Sequence, residues 1–295
     1  MATYTESQLG LYLQHINYPK SKHPEDPLQL LTGLTKHHLC RVPFDSVALH
    51  YSPHRLLSLD PEDLFQKIVV NSRGGYCMEV NTLFGTVLRS LGFTVYSAGG
   101  RVWHERWNHM VSLVTIGGQK YLVDVGFGAR EPTEPVPLVH GHAFVNVAPR
   151  RGRLEFKRLS RQAGAVDPAQ QRVWVYSARK DEESDWKEMY SFTEAEFFPE
   201  DFEVINHFVM TRPQSYFVQT VLAYRPVMDA ETGNLVGELI LHKDIVKRGE
   251  TQDDHVLEVL ESEEARVNAL EKYFDIRLTE KEKRSIQGLP TQLNK

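Results

Sequence analysis

Near Phe93 the hydrophobic residues of this 295-residue chain change their period, and that change limits the fold more than any other feature. Before it, apolar side chains recur at three- and four-residue spacing. The stripe Leu9, Tyr12, Leu13 and Ile16 follows Thr5, as expected of a helix with one buried face. Asp26 before Pro27 opens a segment carrying Leu28, Leu31 and Leu34, and Asp60 before Pro61 repeats the pattern. In each case a short polar side chain can accept from the free N–H groups of a first turn. A fourth segment follows Gly74 and Gly75, where Val80, Leu83, Phe84, Val87, Leu88 and Leu91 share one face until Gly92.

Beyond Phe93 β-branched and aromatic residues gather in short runs broken by glycine: FTVYSAGG, HMVSLVTIGG and YLVDVGFG. Further strands are expected at Ala143 to Val147, Leu154 to Leu159 and Arg172 to Ala178. With no helix between them, such strands form an antiparallel meander or barrel. SYFVQTVLAYRPV and LVGELILHKDIV read as later strands. A last helix opens at Ser262 with the stripe Val267, Leu270 and Phe274, and the charged tail after Thr279 has little to bury. The expected class is α+β, with a helical segment over 1–90, a β segment over 91–205 and a C-terminal segment over 206–295.

With 41% hydrophobic and 25% charged residues the chain has enough apolar surface to fold. A net charge of −5 gives no general attraction for phosphate backbones or anionic lipid, so neither nucleic acid nor membrane is an expected partner. The start MATYTESQLGLYLQHINYPK lacks a basic flank followed by an apolar core, and no apolar run is long enough to span a bilayer. Two cysteines, Cys40 and Cys77, make no disulfide framework and no CxxC, which points to a reducing cytoplasm. His140 and His142 lack nearby cysteines or spaced carboxylates, so no metal is expected.

The stretch Arg73-Gly74-Gly75-Tyr76-Cys77-Met78-Glu79 delivers a cysteine onto the first turn of an amphipathic helix. There the free N–H groups and the helix dipole favour an anion, which suits a thiolate nucleophile. Taken alone, a cysteine is more often a small core hydrophobe. The segment from His109 to Gly128 sharpens the choice. If Gly117 and Gly118 form a two-residue turn, Val111 lies opposite Asp124. His109 and Asp124 then become diagonal neighbours on one face, about 7 to 8 Å apart at Cα, within reach of a carboxylate-imidazole bond. Cysteine, histidine and aspartate in these places form a nucleophile, a base and its orienter. The three alone leave open an acyltransferase, a cysteine hydrolase or transglutaminase-like enzyme, and a ligand-binding protein that keeps the pocket. Gly126-Phe127-Gly128 is no dinucleotide fingerprint and no Walker loop is present, so NAD and ATP are not expected.

RGGYCMEVN around Cys77, WNHMVSLV around His109 and YLVDVGFG around Asp124 together resemble the arylamine N-acetyltransferases. Val42-Pro43-Phe44-Asp45-Ser46 resembles that family's Pro-Phe-Glu-Asn element, and the spread from Phe202 through Asn206 to Ser215, Tyr216 and Phe217 is also similar. The resemblance implies a helical bundle, a barrel-like β domain and a C-terminal α/β lid, with a triad arranged as in cysteine proteases. It implies double displacement through a Cys77 thioester, from acyl-coenzyme A as co-substrate to an arylamine or arylhydrazine, with no tightly bound cofactor. It also implies a part in xenobiotic metabolism. Acetyl is the default acyl group, with propionyl and malonyl as alternatives. Phe44 and Phe127 are then expected at the substrate pocket, and Gly126, Phe127, Gly128 and Ser215 at the cofactor cleft. Two departures stand out: Asp45-Ser46 stands where the family has Glu-Asn, which bears on contacts near the active-site entrance, and the stretch from Cys77 to His109 is short for the family, which bears on the acyl pocket and donor choice. A malonyl group would want a cation, for which Arg101 and Arg106 are candidates. Arg73 reads as an ion-pair partner or a cofactor contact, and Arg150-Arg151-Gly152-Arg153 as a solvated turn.

Overall fold

The computed structural model describes residues 2–163, 168–249 and 254–293. Its first part is helical: α1 (Glu6–His15), α2 (Pro27–Arg41), a strand β1 (Phe44–Asp45), the short turns α3 (Ala48–Tyr51) and α4 (Pro61–Leu64), and α5 (Cys77–Ser90). The caps fall where the polar residues stand. Gln8 N donates to the Thr5 hydroxyl, Gln29 N to Asp26, and Glu62 N to Asp60. Pro61 opens a helix that widens into a π-turn over 65–70. Leu9, Tyr12 and Leu13 of α1 and Leu31 and Leu34 of α2 pack with Val80, Leu83, Phe84 and Val87 of α5 in one apolar core.

The strands that follow are β2 (Thr94–Val102), β3 (His109–Ile116), β4 (Gln119–Val123), β5 (Val136–Pro137), β6 (His142–Val145), β7 (Arg151–Lys157), β8 (Val173–Arg179) and β9 (Lys187–Glu196). They form one antiparallel sheet in the order β5-β4-β3-β2-β9-β8-β7-β6, curled into a nearly closed barrel around Val111, Leu113, Leu154, Tyr176 and Tyr190. β3 and β4 are joined through Gly117 and Gly118, whose φ values of 57° and 84° are those of a type I′ turn. Ile116 pairs with Gln119 and Ser112 with Val123, which is the register that brings Val111 opposite Asp124.

The rest comprises α6 (Pro199–Thr211), α7 (Tyr216–Gln219), β10 (Leu222–Met228), β11 (Leu235–His242), β12 (Ile245–Gly249), β13 (Asp254–Val259), α8 (Glu263–Phe274) and α9 (Glu280–Ser285). Residue 205 falls within α6, where Phe202, Asn206 and Val209 are buried. Three sequence expectations are corrected here. Tyr216–Gln219, expected as strand, is a helical turn before β10, because Ser215 accepts from Val218 N and Gln219 N. The tail beyond Thr279 is not idle, since Ile286 is fully buried and Leu289 and Leu293 pack on the α8 core. Finally, Arg151 and Arg153 begin β7 rather than a solvated turn, and pair with Glu182 and Glu155.

One short strand joins the ends of the chain. Phe44 pairs with Tyr224 of β10, and on its other side Asp45 N donates to Gly75 O while Gly75 N donates to Pro43 O. The glycines before Cys77 are needed for this approach: a Cβ on Gly74 would lie 1.9 Å from the Pro43 carbonyl oxygen. The Asp45-Ser46 departure falls at the same junction. Asp45 accepts from Val47 N at 2.8 Å, and the Ser46 hydroxyl donates to Thr220 O at 2.7 Å.

Candidate active site

Cys77 is the first residue of α5 and is 2% exposed, its Sγ donating to the Asn108 carbonyl at 3.8 Å. The turn beneath it is braced by Glu79, which accepts from Tyr76 N and pairs with Lys67 at 2.5 Å. Tyr76 donates to Asn206, whose own amide donates to Leu57 O, so α6 holds the turn from outside.

His109 opens β3 and Asp124 follows β4. The imidazole Nε2 meets Asp124 Oδ2 at 2.7 Å, with both side chains buried. Asp124 Oδ1 accepts from Asn81 Nδ2 at 3.1 Å and from Gly126 N at 3.0 Å. Burial by itself would lower the His109 pKa, but the charge and hydrogen bond of Asp124 outweigh it and raise it to about 10. Cys77 acts in the same direction, which sets the sulfur beside the ring. Asp124 is held below its ordinary value, the His109 partnership prevailing over desolvation. Tyr190 and Phe127 wall the imidazole at ring-centroid distances of 4.9 and 5.6 Å.

Cys77 and His109 face one cavity of about 580 Å³. Of the residues singled out in the sequence, Phe44, Gly126, Phe127 and Ser215 line it. Gly128 does not. It turns the backbone at φ 83°, and a Cβ there would strike the Phe44 ring at 2.9 Å. Its N–H and that of Phe127 donate to Glu131, a buried carboxyl whose pKa burial pushes well above the usual range. β10 and β11 close the cavity from the C-terminal side through Tyr224, Ile240 and Leu241.

The arginines divide. Arg106 lines the cavity, whereas Arg101 lies over Trp107 at 4.0 Å, donates to Glu105 O, and faces a separate, smaller cleft. Arg73 pairs with Glu282 of α9 at 2.8 Å. His140 accepts from Phe156 N. Sequence reasoning missed Asn81, Glu131, Tyr190, Phe208 and Arg212. Of these, Asn81 was within reach, being four residues after Cys77 on the same helical face.

This fold has known counterparts. A family model described as N-acetyltransferase matches residues 27–283. The N-malonyltransferase FDB2 of Gibberella moniliformis is 35% identical over 96% of this chain and 92% of that protein. Arylamine N-acetyltransferase 1 of Homo sapiens is 32% identical over 70% of this chain and 73% of its own length. Among solved structures, the Mycobacterium marinum arylamine N-acetyltransferase in complex with CoA superposes with a TM-score of 0.77 at 28% identity. That match covers 94% of this chain and 98% of the other. The Salmonella typhimurium enzyme gives 0.79 at 25% identity, over 96% and 98%. The class so defined is that of acyltransferases acting on nitrogen. Within it, this chain belongs to the arylamine N-acetyltransferase family.

Proposed function

We propose that the protein moves an acyl group from acyl-coenzyme A to an arylamine or arylhydrazine through a thioester on Cys77, with His109 as acid and base and Asp124 as its orienter. The observation that carries this reading is a thiol on the first turn of α5, beside an imidazole bound to a buried carboxylate, with both facing one cavity. His109 takes the proton of the Cys77 thiol, leaving a thiolate. The thiolate attacks the thioester carbonyl of the donor. The carbon-sulfur bond to coenzyme A breaks, and His109 gives its proton to the leaving thiolate. The amine nitrogen then attacks the Cys77 thioester, His109 takes the nitrogen's proton, and the amide leaves as the thiolate re-forms. An aromatic amine is neutral near pH 7, so no proton must be lost before attack.

First-turn N–H groups of α5, which have no intrahelical acceptors, stabilise the oxyanion of each tetrahedral intermediate. Gly126, Phe127 and Ser215 lie where a coenzyme A thioester enters, and Phe44 and Phe127 hold the aromatic acceptor dry. The CoA complex of the Mycobacterium marinum relative supports the donor class. Malonyl is the favoured acyl group, because the FDB2 relative, aligned over nearly the whole chain, is an N-malonyltransferase. Acetyl and propionyl remain within the same chemistry. A required free thiol suits a reducing compartment, so we assign the enzyme to the cytoplasm.

Intact mass after exposure to acetyl- or malonyl-coenzyme A, without amine, tests the thioester. The wild-type protein is expected to gain one acyl group and Cys77→Ala none. An adduct on both proteins would overturn the assignment.

A further inference from the structure

Two guanidinium groups pack against a single ring in the cavity wall. Arg106, from the loop between β2 and β3, has its Cζ 5.3 Å from the Phe208 ring centroid, and Arg212, at the end of α6, has its Cζ 5.3 Å from the same centroid. All three residues line the cavity that holds Cys77 and His109. Among the described residues neither guanidinium has a carboxylate within ion-pair distance, and Arg212 is tied only through Nε to the Gln214 side chain at 3.2 Å. Several arginines elsewhere in the fold are paired. Arg73 meets Glu282, Arg153 meets Glu155, and buried Arg266 meets Glu263. Two cations held against one ring repel each other, and an anion shared between them removes that repulsion and accepts several N–H bonds.

The position of Arg106 says which anion. It stands two residues before Asn108, whose carbonyl accepts from the Cys77 thiol. Consecutive Cα atoms are about 3.8 Å apart, so the Arg106 Cα lies within about 8 Å of the Asn108 Cα, on the wall of the same cavity as Cys77. Glu105 is the one carboxylate on the cavity wall among the described residues. We infer that Arg106 and Arg212, ordered by Phe208, form a clamp for the free carboxylate of a dicarboxylic acyl group, and so set the preference for malonyl over acetyl donors. Arg101, the other sequence candidate, is excluded by its stacking on Trp107 away from the cavity.

This inference rests on the acyl-transfer reading, and the test separates the two. The ratio of kcat/KM for malonyl-coenzyme A to that for acetyl-coenzyme A is measured in the full-length wild type and in Arg106→Gln, Arg212→Gln and the double variant, with one arylamine throughout. The ratio is expected to fall by about tenfold in each single variant and further in the double, in keeping with a lost charge-assisted hydrogen bond. A ratio unchanged in all three overturns the clamp, whether both rates fall together, as they would if the cations gripped the phosphates of coenzyme A, or neither falls. A wild-type enzyme that uses acetyl- but not malonyl-coenzyme A also overturns the clamp while leaving acyl transfer intact. If the wild type uses neither donor, acyl transfer itself fails.

Discussion

Asp124 uses its two oxygens differently. One fixes the imidazole and the other collects N–H groups from Asn81 and Gly126, so an amide in its place both mismatches a donor and stops raising the His109 pKa. Asp124→Asn is expected to lower acyl-transfer turnover by about 10²- to 10⁴-fold, the range seen when a base loses its orienter. Single-turnover acylation of Cys77 measures it, and a loss below fivefold would remove Asp124 from the mechanism. The two cysteines should also separate chemically. Burial pushes the Cys40 thiol up to about 12, so a thiol-specific reagent at pH 6 should label Cys77 well before Cys40, as mapped by peptide mass. The His109-Asp124 diagonal was legible because a two-glycine turn sets register by counting. Arg212 and Phe208 were not, because they reach the cavity from a helix far beyond Cys77 in sequence, and no local pattern links them to it.

At the scale of elements, the site is the contact between the first turn of α5 and the loop after β4. That contact leaves no spare room: a Cβ on Gly126 would lie 2.6 Å from Val80 Cγ2 and 2.8 Å from Cys77 Cα. Gly126→Ala is expected to cost about 1 to 3 kcal/mol, read as a melting temperature lower by several degrees, with slower Cys77 acylation. Glu131 holds the same loop from behind. Its folded-state pKa is raised, so it binds its proton more tightly in the fold. Its contribution is therefore full only below the ordinary carboxyl pKa of about 4.5 and is lost progressively as pH rises from there to the raised value. Glu131→Gln should remove its share of the fall in stability that sets in above about pH 4.5, measured by urea unfolding. The caps of α1 and α2 and most barrel strands could be read from period and polar starts, since both are local. α7 could not. Its β-branched and aromatic residues favour a strand, and the helical turn there is set by Ser215 and by packing on His50 and the Phe44 ring.

For the molecule as a whole, three histidines outside the cavity set the acid limit. Burial lowers the pKa of His15 to about 4, of His38 to about 3 and of His50 to about 4. The unfolded chain takes up these protons below about pH 6.5 and the fold refuses them, so stability falls as pH drops from there towards 4. Each group contributes up to about 1.4 kcal/mol per pH unit over that window. His109 works the other way: raised to about 10, its contribution is full below 6.5 and disappears as pH climbs through 10. The urea midpoint should therefore peak between pH 6 and 8, and a midpoint that rises between pH 6.5 and 5 would contradict the three buried rings.

The thread between β1, β10 and α9 has a consequence for synthesis. When the ribosome has released Cys77 and its glycines, neither Tyr224 nor Glu282 yet exists to brace them. The Cys77 turn must wait, unsupported, for more than half the polypeptide to emerge. Catalytic competence then arrives late in translation, and prematurely terminated fragments that contain the entire Cys-His-Asp set should still be inert.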